Sequence, residues 1–143
     1  MSTYPLSAYH FIVDWGSSSA GFTEVSGLSI ENEVIEYREG NSPSSNFIKM
    51  PGLQKFSNII LKRGIIKGNN DFFNWINTIK NNTVERRNIV ISMLDENHAP
   101  IRVWKVKNAW PCKFVSSDLK ADGNEAAIET LELTHEGLVI ENI

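Results

Sequence analysis

Residues able to do chemistry are few and widely separated in this chain. Cys112 is the only cysteine, and the three histidines are His10, His98 and His135. A thiol nucleophile needs a histidine base beside it, and a zinc site needs several ligands at short spacings. No metal-binding histidine pair, nucleophile-elbow motif, P-loop or dinucleotide-binding glycine motif occurs. We therefore expect no enzymatic activity, no metal and no cofactor, and we expect Cys112 to be a buried structural thiol.

Composition and charge narrow the class of protein further. The 143 residues, 41% of them hydrophobic and 22% charged, suit one globular domain spanning 1-143. The net charge of -3 argues against a dedicated nucleic-acid binder. The basic spots are therefore expected on solvated faces: Lys62-Arg63, Arg86-Arg87 and Lys105/Lys107. The beginning of the sequence lacks the pattern of a signal peptide, and the densest apolar run, 89-94, is too short to span a membrane.

Short stretches that alternate apolar and polar residues, a pattern typical of strands, dominate the sequence. Any functional site would therefore be positioned mainly by strands. They predict strands over 9-15, 22-25, 28-38, 55-62, 87-95, 101-107 and 126-135. Trp110-Pro111 is expected to interrupt strand pairing, because proline lacks a backbone donor. The pattern as a whole predicts a mainly β fold, an antiparallel β-sandwich or barrel of about seven strands.

One segment has helical periodicity. Phe72, Trp75, Ile76 and Ile79 lie at i, i+3, i+4 and i+7, which predicts one flanking α-helix over about 70-81 with this stripe facing the sheet. Asn69 or Asn70 suits the N-cap position.

The segment 39-54 is unusual for a compact domain. Its first half is rich in turn residues, its second half carries large apolar side chains, and the whole predicts a long inter-strand loop. Two interpretations remain open: this segment, which we call the arm, folds over its own core, or it reaches a neighbouring subunit. Segment 28-38 carries apolar and charged residues on both faces, which favours the second interpretation, since an exposed edge strand invites pairing with another chain.

An ordered set of motifs resembles a known family. The set comprises Tyr37-Arg38-Glu39-Gly40-Asn41, Lys49-Met50-Pro51-Gly52-Leu53, Asn58, Leu61-Lys62-Arg63-Gly64, Trp75, Arg86-Arg87, Asn108-Ala109-Trp110-Pro111, Glu129, Glu132-Leu133 and His135-Glu136-Gly137-Leu138. Its order and spacing resemble the tail tube proteins of contractile phages and extracellular contractile injection systems. The haemolysin-coregulated proteins of type VI secretion share that fold.

The resemblance implies a structural role. Such subunits form homo-hexameric rings that stack into a hollow inner tube for DNA or protein cargo, inside a sheath and between a baseplate and tube-terminating proteins. It also implies synthesis in the bacterial cytoplasm and function in a phage tail or a released particle. By position, the ring-stacking loop is expected to use Glu39, Gly40, Asn41, Phe47, Ile48, Met50, Pro51 and Leu53. The candidates for the lumen are Glu31, Glu33 and Glu132.

Two further interpretations remain open at this point. A monomeric small-ligand β-barrel would have a similar strand count, with a pocket lined by Trp15, Trp75, Trp104 and Trp110. Within the family that this chain resembles, a tube-like baseplate adaptor is the alternative to the main tube subunit.

Overall fold

The structure, a computed structural model, describes residues 4, 10–16, 21–41, 43, 47–80 and 83–142, which contain nine strands and one short helix. The mainly β prediction with one helix is confirmed. Two strands missed by the sequence pattern are the fourth, inside the predicted 39-54 loop, and the ninth. The strands are β1 (Phe11–Asp14), β2 (Phe22–Ser26), β3 (Ile30–Tyr37), β4 (Ile48–Phe56), β5 (Ile59–Gly64), β6 (Arg87–Leu94), β7 (Pro100–Ser116), β8 (Ile128–Thr134) and β9 (Gly137–Asn142).

One antiparallel sheet makes up the body of the protein. Its order is β1-β6-β7-β8-β5-β2, and β9 also pairs with β7. The first half of β7 lies between β6 and β9, whereas its second half pairs with β8. The sheet therefore turns over on itself along this long strand and forms an open sandwich. Its core holds apolar side chains from both halves, including Ile89, Ile91, Leu61, Leu131 and Leu133.

The predicted interruption at Trp110-Pro111 is wrong. β7 continues through Pro111, which is fully buried and opposes Leu133. β6 makes its last pair with β7 at Ala109, and the β7–β8 register shifts between Pro111 and Lys113. Pro111 therefore lies at a bulge, and beyond the reach of β6, where a missing donor is tolerated.

The helix α1 (Asp71–Ile76) is shorter than the predicted 70-81, and Asn81 lies outside the described residues. Phe72 and Trp75 are buried as predicted, but Ile79 is 39% exposed and does not continue the stripe. The Thr78 hydroxyl donates to the Trp75 carbonyl at 2.7 Å, which favours a turn over another helical residue. At the other end, the Asn69 side chain accepts from the Asp71 N–H at 3.2 Å.

β3 and β4 form a separate two-stranded hairpin that projects from the body. β3 continues from β2, and β4 leads into β5. Ser26 of β2 opposes Ile60 of β5, and four residues away on each of the two segments Ile30 opposes Phe56. The predicted loop 39-54 is therefore too long: its second half is strand, and the connection between the strands covers 38–47. Of that connection, residues 42 and 44–46 lie outside the described part.

Candidate inter-subunit surfaces

The projecting hairpin and its turn carry all eight predicted arm residues. Glu39, Gly40 and Asn41 lie in the turn, Phe47 directly precedes β4, and the remaining four lie on β4: Ile48, Met50, Pro51 and Leu53. All eight are exposed. Phe47 is 54% and Leu53 75% exposed, although each is a large apolar side chain. The structure therefore brings these residues together on one projection, away from the chain's own core.

Cross-strand pairing divides the hairpin into two faces. Directly opposed residues of an antiparallel pair share a face, so Ile35 and Met50 lie together, as do Tyr37 and Ile48. All four are exposed. A bulge in β4 lies where Gly52 and Leu53 oppose Glu33. The outer half of this face is thus an apolar strip open to solvent.

The lumen candidates on the hairpin lie nearer its base, on the same face as this strip. Glu31 opposes Lys55, and the Lys55 Nζ lies 2.5 Å from the Glu33 carboxylate. The hydrogen bond to Glu33, and the charges of Glu33 and Glu31, raise the pKa of Lys55. Phe56, on the opposite face, packs against the core. Glu31 and Glu33 therefore point away from the body's interior.

Glu132 lies on the body but also points outward. Its neighbours Leu131 and Leu133 are fully buried, so the alternation of β8 places Glu132 on the outer face of the sheet. Its carboxylate accepts a hydrogen bond from the Asn58 side chain at 3.0 Å and lies 3.8 Å from the Cys112 sulfur. The hydrogen-bonding partners of the Cys112 thiol are thus the Asn58 amide and the carbonyl and carboxylate of Glu132, with no histidine among them. The prediction that this residue is buried is wrong, because Cys112 is exposed on the outer face of the sheet.

The Cys112 thiol gives a chemical test of this cluster. Partial desolvation of the sulfur, and then the Glu132 charge, raise the pKa of Cys112. Because the thiolate is the nucleophile, alkylation by iodoacetamide at pH 8 should be slower than in the urea-unfolded chain. Glu132→Gln should speed it several-fold and move the rate–pH midpoint to lower pH, whereas Glu136→Gln should not. Equal rates in wild type and Glu132→Gln would contradict the arrangement.

Gly27 forms the joint between hairpin and body. Its φ is +87°, and a Cβ there would lie 2.0 Å from the Asn58 carbonyl oxygen. The adjoining segments are tied by a hydrogen bond between the Ser29 and Ser57 hydroxyls at 2.6 Å and by His135, which contacts the Ser57 carbonyl at 3.0 Å. The angle of the hairpin is therefore set by close backbone packing.

Gly27→Ala should lower the free energy of unfolding by at least about 2 kcal/mol, because it adds a steric clash to an unfavourable φ. Gly68→Ala is the matched control: Gly68 has φ +82° but nothing within 4 Å of a built Cβ. It should cost only about 1 kcal/mol. Urea unfolding followed by tryptophan fluorescence compares the two, and equal losses would show that packing at Asn58 is unimportant.

Several strand edges lack partners among the described residues. β2 pairs only with β5, β3 only with β4, and residues 110–116 of β7 only with β8. The four-stranded part of the sheet, β2-β5-β8-β7, thus has an open edge at each end. Such edges present unpaired backbone donors and acceptors.

The described residues contain neither a cluster of metal ligands nor a membrane-spanning helix. His10 and His98 do approach each other, with ring centroids 5.2 Å apart, a contact that their separation in sequence hid. No group of three or more potential metal ligands occurs among the described residues. Within the same residues, no helix has the length and apolar character needed to cross a membrane.

Comparison with known proteins gives the family. The model of the T4-like virus tail tube protein gp19 matches residues 7–139. The chain belongs to the tail tube protein family. It is a tube protein of contractile injection systems, and the solved structures of relatives agree with this. A chain in the extended sheath–tube complex of the extracellular contractile injection system PVC is 34% identical to it. The TM-score is 0.90, and the match covers 99% of this chain and 94% of that one.

Two further solved structures are similar to this tube protein. A chain in the anti-feeding prophage tube-terminating cap is 36% identical, with a TM-score of 0.91 over 100% of this chain and 95% of that one. Hcp1 from Flavobacterium johnsoniae shares the fold, with a TM-score of 0.58 at 11% identity over 94% of this chain and 96% of that one. No curated protein matches the sequence.

Proposed function

We propose that this tube protein is the main inner-tube subunit of a contractile tail or injection system, assembling as stacked hexameric rings around a lumen for DNA or protein cargo. The observation that supports this most directly is the projecting hairpin. Fully burying a large apolar side chain is worth roughly 1.5–3 kcal/mol, and Phe47, Ile48, Met50 and Leu53 forgo much of that in a solitary subunit. Identical copies can cover them.

Open strand edges support ring closure. The four-stranded sheet β2-β5-β8-β7 can pair edge to edge with the same sheet in the next subunit, at the outer side of β2–β3 and at residues 110–116 of β7. Repeating this head-to-tail contact closes a ring when the rotation fits, as in a closed barrel. The outward face of this sheet would then line the lumen, with Glu132 and, on the hairpin, Glu31 and Glu33.

Ring stacking is assigned to the arm. The residues proposed for it are Glu39, Gly40, Asn41, Phe47, Ile48, Met50, Pro51 and Leu53, each exposed on the hairpin or its turn. The same contact repeats along the axis, so stacking has no inherent end, and other proteins must limit the length. Relatives occur in complexes with sheath, terminator and baseplate components. We infer that these are the partners here, in an assembled particle outside the cell.

The alternatives have less support. Trp15 and Trp75 are buried in the core with ring centroids 5.7 Å apart, so they do not line a ligand cup. A chain in the anti-feeding prophage baseplate is 25% identical, against 34–36% for the tube and cap complexes, which favours the main subunit over a baseplate adaptor. Activity lost on Cys112→Ala would revive an enzymatic role.

Negative-stain microscopy with native mass spectrometry tests the proposal. The purified protein should form six-membered rings, or hollow tubes at high concentration. A monodisperse 16 kDa species at every concentration would refute it and favour the ligand-binding barrel.

A further inference from the structure

The end of the sheet opposite the hairpin also exposes apolar side chains. Leu119 is 89% exposed, and Ile65 and Ile66 are 45% and 52% exposed. Leu119 lies in the connection 117–127 between β7 and β8, whose eleven residues contain no strand or helix. A connection of that length inside a compact domain is more often functional than a simple link.

A pocket of about 480 Å³ lies in this connection. Its lining includes Asp118, Leu119, Lys120, Glu125 and Ala127. The Ile65 N–H donates to the Ala127 carbonyl at 2.9 Å, so the exposed Ile65–Ile66 segment adjoins the pocket wall. The volume is more than ten times the ~30 Å³ share of one water molecule in the liquid, enough to admit a large side chain.

The strand register places this surface and the hairpin at opposite ends of β5. The hairpin leads into β5 at Ile59, which opposes Leu133, whereas Gly64 at the other end opposes Ile128, the residue after the connection. Six strand residues separate the two ends by roughly 20 Å. In a stack of like-oriented rings with β5 along the stacking axis, the hairpin end of one subunit faces the opposite end of the next.

We propose that the surface formed by Ile65, Ile66, Leu119 and the adjacent pocket receives the hairpin tip of an identical subunit in the neighbouring ring. This rests on the proposed function and names the surface that the arm contacts. The occupant is a second copy because each end exposes apolar side chains that only the other end covers in such a stack. Asp118 and Glu125 line the pocket beside Lys120, so the exposed Lys49 of the hairpin can form an ion pair with a carboxylate there.

Crosslinking in assembled tubes tests this assignment. In a Cys112→Ser background, Lys49→Cys is combined with Lys120→Cys, which keeps every apolar side chain of the proposed contact, and the tubes are treated with a short bismaleimide. Links between rings should give a ladder of covalent species that continues past the hexamer, since each subunit joins one above and one below. The matched control pairs Lys49→Cys with Ile12→Cys, an exposed apolar position on β1, and should give no ladder.

The outcomes separate this inference from the proposed function. Tubes that form normally but give no ladder from the Lys49–Lys120 pair would overturn the receiving surface and leave the tube role intact. A ladder that stops at six would also overturn it, because it would show a contact within one ring. If the wild-type protein forms neither rings nor tubes, the proposed function itself fails. Circular dichroism of each cysteine variant establishes that the subunit is folded.

Discussion

Replacing Phe47 and Met50 together by serine should leave the subunit folded and stop the tube from elongating. Both side chains lie on the projecting hairpin, where they are 54% and 43% exposed. Neither belongs to the buried core cluster or to the apolar residues packed against it. Thermal unfolding of the isolated subunit should therefore change little, since surface substitutions usually alter stability by less than about 0.5 kcal/mol.

The effect on assembly is large because the contact is repeated. Each side chain is already about half covered, so covering the rest is worth roughly 1 kcal/mol, or ~2 kcal/mol for the pair. With six copies at each junction between rings, the loss grows to about 12 kcal/mol per junction, provided that the contacts act together. Rings should still close, because the strand edges are unchanged, but stacks should be absent from electron micrographs.

A matched control separates this effect from a general loss of surface hydrophobicity. Ile12 on β1 and Phe73 on α1 are 53% and 48% exposed, close to the values for the arm pair. Ile12→Ser with Phe73→Ser should elongate as wild type does. If both double variants form full-length tubes, the arm residues do not hold rings together; if both fail, the arm has no special role.

The sheet and the helix were predictable because their signals are local. The alternation around Val13 and Trp15 matches their burial, as does the alternation around Leu131 and Leu133. The stripe of the helix likewise placed Phe72 and Trp75 in the core. Only its far end was wrong, because the competition between the Thr78 hydroxyl and the helix is not visible in a hydrophobic pattern.

The missed elements depend on contacts distant in sequence. Pro51 and Gly52 argue against a strand in isolation, yet β4 forms because β3 supplies a partner and a bulge accommodates them. Pro111 is tolerated in β7 because β6 ends its pairing at Ala109. The assignments of the arm and lumen remain predictions, since they depend on copies of the chain that no single subunit contains.

The position of Arg63 differs most from its sequence-based prediction. As half of a basic pair, Lys62-Arg63, it is expected on a solvated face, but its side chain is only 1% exposed. Its Nε donates to the Glu129 carboxylate at 2.6 Å, and its guanidinium lies 3.8 Å from the centroid of the Phe72 ring. Another nitrogen donates to the Asn69 side chain, at the start of α1. Arg63 therefore joins β5, β8 and the helix, a role set by a partner 66 residues away.

Glu129→Ala should lower the free energy of unfolding by about 3–5 kcal/mol, because it leaves the Arg63 charge buried without its counter-ion. For a chain of this size, that corresponds to a fall in Tm of about 10–17 °C. The control lies one residue away on β5: the exposed pair of Lys62 and Glu24, 3.1 Å apart, should contribute at most about 1 kcal/mol.

A double replacement distinguishes charge burial from simple loss of packing. Arg63→Met with Glu129→Leu removes both charges while keeping apolar volume against Phe72, and buried ion pairs replaced in this way often lose no stability. The double variant should therefore unfold near the wild-type temperature, well above Glu129→Ala, in thermal scans followed by near-ultraviolet circular dichroism. If Glu129→Ala unfolds within 2 °C of wild type, roughly the effect of an exposed pair, the pair does not anchor the helix. If the double variant is as unstable as the single one, the geometry of the ion pair, rather than the burial of an uncompensated charge, holds β5, β8 and α1 together.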